Sequence, residues 1–162
     1  MNFPTPRFEA KLCQPGQLAA RVATLPRPLV FTNGCFDILH RGHVTYLDQA
    51  RALGASLIVA VNSDASVKSL GKGDERPVNP LEDRMALLAA LECVALVTWF
   101  DEATPRQRIL DCLPDILVKG GDWTTDKIVG AEEVLARGGK VVSIPFVHQR
   151  STTALLEKIR RL

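Results

Sequence analysis

The sequence predicts a doubly wound α/β fold, on three observations. Short, β-branched apolar runs recur along the chain, segments of helical periodicity separate them, and no internal repeat or low-complexity linker interrupts the 162 residues. The apolar runs lie at 28–33 (PLVFTN), 56–62 (SLIVAVN), 94–99 (VALVTW), 115–119 (DILVK) and 140–144 (KVVSI). Each is almost wholly apolar rather than alternating, the pattern of a parallel strand covered on both faces. Strand–helix alternation of this kind favours a parallel sheet with right-handed crossovers.

The helical segments follow in order. Residues 42–53 place Val44, Leu47 and Ala50 on one stripe, and 80–92 open with Pro80, Glu82 and Asp83, a good start signal. The shorter segment 104–112 has Thr104 as its cap and Pro105 in its first turn, and 126–137 stop at Gly138-Gly139. Residues 151–162 start at Ser151 or a neighbouring threonine and carry Lys158, Arg160 and Arg161 near the negative end of the helix. Residues 1–27 are expected to pack as a helical extension, centred on 17–23, ahead of a single domain at 28–162. One stretch, 68–79 (KSLGKGDERPVN), is charged, glycine-rich and too long for a plain connector, so it reads as a mobile loop.

Bulk properties narrow the partners. The 20 basic and 18 acidic residues leave a net charge of +2, which gives no electrostatic reason to expect nucleic acid or an anionic membrane. An anionic ligand must therefore be held by a local cluster. No apolar run approaches the roughly 20 residues of a membrane span, and MNFPTPRFEAKL has no apolar core of a secretory signal. Cys13, Cys35, Cys93 and Cys112 are scattered, without the spacing of a zinc site or a disulfide framework, so a reducing cytoplasm is the expected compartment.

In a doubly wound sheet ligands sit at the carboxyl ends of the strands. The loop after the first strand reads Asn33-Gly-Cys-Phe-Asp-Ile-Leu-His-Arg-Gly-His43, which lacks the G-x-G-x-x-G of a dinucleotide site. It offers His40 and His43 around Gly42 at the start of a helix. Free N–H groups and partial positive charge gather there, and imidazoles can donate to phosphate oxygens. Spacing alone also permits two plain cap residues, or a metal site completed by His148. Phosphate-compatible groups recur at the same end of the sheet. They are Asn62-Ser63-Asp64, then Lys72 and Arg76 in the glycine-rich loop, Lys119-Gly120-Gly121-Asp122-Trp123, and Arg150 with Ser151, Thr152 and Thr153 opening the last helix. Each alone has an ordinary reading as loop, turn or cap; their shared rim is what points to a polyphosphate.

The segment GCFDILHRGHVTYLDQAR resembles the G-x-F-D-x-x-H-x-G-H signature of the HxGH nucleotidyltransferases. Together with VAVNSDASV, RPVNPLEDRMALLAALECV, PDILVKGGDW and PF-x-x-x-x-STTALLEKI, it is similar to the D-glycero-β-D-manno-heptose 1-phosphate adenylyltransferases, in a stand-alone form. The resemblance runs from about Pro28 to the C-terminus. Trp123 stands where these proteins commonly have tyrosine.

That resemblance implies a Rossmann-like, three-layer α/β/α fold with a five-stranded parallel sheet. It implies an enzyme that takes ATP and a sugar 1-phosphate, with Mg²⁺ bound through the ATP phosphates and no dedicated metal ligands, in lipopolysaccharide inner-core synthesis. A homodimer is compatible with it. His40, His43 and Lys72 are then the catalytic group. Thr32, Asn33, Gly34, Phe36 and Gly42 line the first turn. Lys119, Gly120, Gly121 and Asp122 border adenine and ribose, and Arg150, Ser151, Thr152 and Thr153 hold phosphate oxygens. Asp37 and Asp64 orient the sugar or the metal, Arg76 binds substrate, and Arg84 reaches a sugar or nucleotide phosphate, also reading as a surface helix arginine. The same chemistry serves a cytidylyltransferase acting on glycerol 3-phosphate or another small phosphate, and a nucleotide-sensing module is the non-enzyme alternative.

Overall fold

A computed structural model describes residues 3–71, 73, 75–121, 123–148 and 150–162. The strands are β1 (Leu29–Gly34), β2 (Ser56–Asn62), β3 (Leu96–Phe100), β4 (Ile116–Gly120) and β5 (Lys140–Ile144), all parallel, in the order β3-β2-β1-β4-β5. The chain moves outward from β1 to β3 and then returns to the other side of β1. The crevice between β1 and β4 is therefore the switch point where such sheets bind ligands.

The helices are α1 (Leu18–Val22), α2 (Arg41–Arg51), α3 (Asp64–Ser69), α4 (Leu81–Ala90), α5 (Arg106–Cys112), α6 (Ala131–Ala136) and α7 (Thr152–Arg160). Period-two geometry sorts each strand between two apolar layers. Leu29 and Phe31 of β1 pack with Leu18, Val22, Ile109 and Val134 on one face. Val30 of the same strand packs with Leu47, Ala50, Leu88 and Ala89 on the other. This is the three-layer α/β/α arrangement, and it explains why the strands carry no polar face.

Three elements differ from the sequence expectation. The N-terminal extension is not one helix: 3₁₀ turns at Arg7–Lys11 and Pro15–Gln17 precede the five-residue α1. Its Cys13, Leu18 and Val22 are buried in the same core as β1, so it is part of the domain's packing. The segment 126–137 is split, with a 3₁₀ turn at Thr125–Lys127 and α6 starting after Gly130, whose φ of 87° suits glycine. The third difference is α3, where a loop was expected to begin at Lys68. Ser63 caps it by accepting from the Ser66 N–H at 3.1 Å, and a helix this short and polar leaves no periodic trace. At the other end of that loop, Arg76, Val78 and Asn79 are tied to Asp37. No helix among the described residues is long and apolar enough to cross a membrane.

Candidate active site

The loop from β1 to α2 sets the site. His40 is the N-cap of α2, extended at φ −142°, and its Nδ1 accepts from the His43 N–H at 3.4 Å. With Nδ1 an acceptor, the neutral ring carries its proton on Nε2, a donor for an anion. The two imidazoles stack, ring centres 3.8 Å apart, and Phe36 meets His43 edge-on at 5.3 Å. Gly42 makes the stack possible: a Cβ there would lie 3.1 Å from the His40 ring and 3.3 Å from the His148 carbonyl. Phe36 itself has φ of 45°, an uncommon conformation for a non-glycine residue, held between Gly34 and His43.

Two cavities open side by side at this rim, and Cys35 lines both. The first, of about 460 Å³, is bordered by His40, His43, Arg76, Arg150, Ser151 and Thr153, with Phe146 closing one side. Here the N-termini of α2 and α7 converge, each capped by its own side chain: His40 for α2, and Ser151 for α7 through the Ala154 N–H at 3.1 Å. Two helix N-termini aimed into one cavity favour a polyanion. The second, of about 340 Å³, mixes Asn33, Asn62, Lys119 and Lys127 with Leu70, Phe100, Ile128 and Trp123. Amides and ammonium groups over an apolar floor suit a nucleoside or a sugar.

Burial, then the neighbouring His40, pushes His43 down to about 4; burial, and with it the Arg150 charge, lowers His40. Both imidazoles are thus neutral donors near pH 7. The consequence for stability has a definite sign. An unfolded histidine takes up a proton near pH 6.5, whereas folded His43 refuses it down to about 4. The unfolded state binds more protons in that window, so stability falls as pH drops from about 6.5 towards 4. Thermal melts of the ligand-free protein should show this decline, and the His43→Asn variant should show less of it. Superimposable profiles for the two proteins would refute the assignment.

The remaining sequence candidates divide by what they touch. Asn33, Gly34 and Lys119 border the second cavity, with the Lys119 Nζ donating to the Asn33 Oδ1 at 3.2 Å. Thr32 is fully buried and lines neither cavity; its hydroxyl meets the Tyr46 hydroxyl at 2.5 Å, inside the sheet–helix packing. Gly120 also acts by packing, because a Cβ there would meet the Phe146 ring at 2.7 Å. Gly121, at φ of 108°, turns the chain and donates its N–H to the Ile144 carbonyl at 2.9 Å. Lys72 and Asp122 lie outside the described residues.

Asp37 and Asp64, expected at the sugar or the metal, and Arg84, expected at a sugar or nucleotide phosphate or on the surface, all bond to other residues of the protein. Arg84 is fully buried and donates to Asn79 O at 3.0 Å, Cys35 O at 2.6 Å and Asp64 Oδ1 at 2.7 Å. It is therefore neither a surface arginine nor a presented cation; it braces the β1–α2 loop against α3 and the approach to α4. Asp37 accepts from the Val78 and Asn79 N–H groups at 2.8 and 3.0 Å and pairs with the Arg76 Nε. Its carboxylate is occupied by those three donors. Sequence reasoning assigned no site role to Cys35 or Phe146. Cys35 reads as a small apolar residue, and Phe146 was legible only as part of the short PF stretch ahead of the last helix.

Residues 31–157 match the family model described as cytidylyltransferase-like, and the chain belongs to that family of nucleotidyltransferases. Among individual relatives, it is 59% identical over 157 residues to a D-beta-D-heptose 1-phosphate adenylyltransferase of Bordetella bronchiseptica, covering 96% of this chain and 97% of that one. It is 60% identical over 134 residues to the bifunctional protein HldE of Hahella chejuensis, covering 82% of this chain but 28% of that protein. In three dimensions it is similar to the lipopolysaccharide core biosynthesis protein of Thermoplasma volcanium, with a TM-score of 0.60, 29% identity, and coverage of 75% of this chain and 98% of that one.

Proposed function

We propose that this chain transfers AMP from ATP to D-glycero-β-D-manno-heptose 1-phosphate, giving ADP-heptose and pyrophosphate for the lipopolysaccharide inner core, in the cytoplasm. One observation carries the reading: stacked, neutral His40 and His43 face Arg150 and the α7 N-terminus across a single cavity. The Bordetella relative, matched along nearly its whole length, supplies the acceptor and the nucleotide.

A phosphate oxygen of the sugar phosphate attacks the α-phosphorus of ATP. The bond to the bridging oxygen breaks and pyrophosphate leaves, with no covalent enzyme intermediate. The protein's task is then to position the reactants and stabilise charge. His40 and His43 donate to the oxygens on which charge grows. Ser151, Thr152 and Thr153, with Arg150, hold the departing phosphates at the α7 N-terminus. The second cavity takes the uncharged end of a substrate, with Asn33 and Lys119 as its polar contacts.

Mg²⁺ belongs here as an ion carried on the triphosphate. No group of three His, Cys, Asp or Glu side chains among the described residues is placed to hold one, and Asp37, the carboxylate lining the histidine cavity, is already committed to Arg76. When bound, the ion neutralises phosphate charge.

The test is a substrate panel read by pyrophosphate release. ATP with heptose 1-phosphate should turn over many times. CTP with glycerol 3-phosphate should not, and the reverse preference would make the chain a cytidylyltransferase. ATP binding without multiple turnovers on any acceptor would make it a sensing module.

A further inference from the structure

We propose that Arg76 contacts a substrate phosphate in the histidine cavity and that Asp37 is the positioning residue that aims it; the inference rests on the phosphate-transfer reading above. Arg76 is only 6% exposed, and Asp37 1%. An arginine this buried is ordinarily engaged through several of its five N–H donors. Here the guanidinium is held from one side, by Nε on the Asp37 carboxylate. Its terminal nitrogens make no hydrogen bond or ion pair with another described residue, while the side chain lines the cavity that His40, His43, Arg150 and Ser151 also line.

A structural staple does not need this cation. Asp37 already ties the loop through the Val78 and Asn79 N–H groups, and its own carbonyl accepts from Asn79 Nδ2 at 2.7 Å. What Arg76 adds is a fork of donors facing a cavity that holds two neutral imidazoles and two helix N-termini. Phosphate is the ligand that such a fork matches, because two parallel N–H groups meet two of its oxygens. Asp37 removes the freedom of the long side chain before the ligand arrives, so that the donors are already in place. The arrangement also assigns work to the aspartate of the G-x-F-D segment. It sets the direction of a cation 39 residues further along the chain rather than touching substrate.

The experiment compares Arg76→Gln, Arg76→Lys, Asp37→Asn and the double variant Asp37→Asn/Arg76→Gln in full steady-state kinetics. Calorimetry of ATP and of pyrophosphate runs alongside, and melting temperatures monitor the fold. Arg76→Gln should lower kcat/KM by about 100-fold, the usual effect of removing one such donor. Arg76→Lys, a point charge without the fork, should restore less than a tenth of the wild-type value on the same scale. Asp37→Asn should impair kcat/KM as well, and the double variant should be no worse than Arg76→Gln alone, because the aspartate acts through the arginine.

A raised KM for ATP assigns the contact to the triphosphate, and a raised KM for the sugar phosphate assigns it to the acceptor. Losses that multiply in the double variant, or Arg76→Gln with wild-type kinetics and only a lowered melting temperature, would overturn the proposal. Should Asp37→Asn fail to fold, Arg76→Gln leaves the backbone ties of Asp37 in place and decides alone. If the wild type releases no pyrophosphate, the adenylyltransferase reading fails. The pyrophosphate affinities of wild type and Arg76→Gln then decide the phosphate contact independently, equal affinities overturning it.

Discussion

Replacing His43 by alanine should reduce turnover by about 100- to 1000-fold while the fold survives, the scale expected when one donor to a charged transition state is removed. The ring is placed for that role and little else. It stacks on His40, meets Phe36, and burial keeps it neutral, with its pKa near 4. Because the loss is confined to charge that develops during the reaction, kcat should fall by a larger factor than KM for ATP rises. His40→Ala should behave differently in one respect. His40 is also the N-cap of α2, so its loss should cost about 1 kcal/mol of stability in addition to activity. Turnover by His43→Ala at the wild-type rate, measured by pyrophosphate release, would remove the histidines from the mechanism.

Arg84→Met should produce the larger structural effect. The wild-type guanidinium serves three acceptors from three separate segments, and none of its surface is exposed. Methionine fills much of the volume but leaves the Cys35 and Asn79 carbonyls without their donor. Removing one partner from a buried polar network costs roughly 3–5 kcal/mol. The Asp64 side chain is 43% exposed and can recover water, so the lower end applies, about 3 kcal/mol. For a chain of this length that corresponds to a fall in melting temperature of about 6–12 °C. Activity should fall too, since the β1–α2 loop carries the histidines. An unchanged melting temperature would show that the three contacts do not brace the loop.

Arg84 and Asp37 also show what can be read from a sequence of this kind. The strands were legible because a sheet buried on both faces demands continuous apolar runs, and SLIVAVN at 56–62 coincides with β2. The starts of α2 and α4, expected at 42 and 80, fall at Arg41 and Leu81, with His40 and Pro80 as extended N-caps. Arg84 gave no such sign. It follows Glu82 and Asp83 in what looks like an exposed first turn, and its burial depends on Cys35 and Asp64, which the fold delivers from 49 and 20 residues away. The partners of Asp37 were hidden for the same reason, its three donors lying about 40 residues ahead. His40, His43 and the 150–153 segment could be placed on one rim from the sequence because helix N-termini are local features. The role of each charge on that rim depends on long-range pairing, which spacing does not encode.

The segment ahead of β1 has a consequence for how the sheet's edge is protected. β3 is an outer strand, and such edges invite another chain to add on. Here Leu12 bridges to Val97, and the Cys13 N–H donates to the Val97 carbonyl at 2.9 Å. Phe8 and Leu12 pack on one layer, while Cys13, Leu18 and Val22 pack on the other, so the segment passes over the sheet's margin like a hem. Sheet-to-sheet aggregation is thereby discouraged on that side. The opposite margin, β5, opens with an exposed lysine, Lys140, and is followed at once by Pro145, two further obstacles to unwanted strand addition.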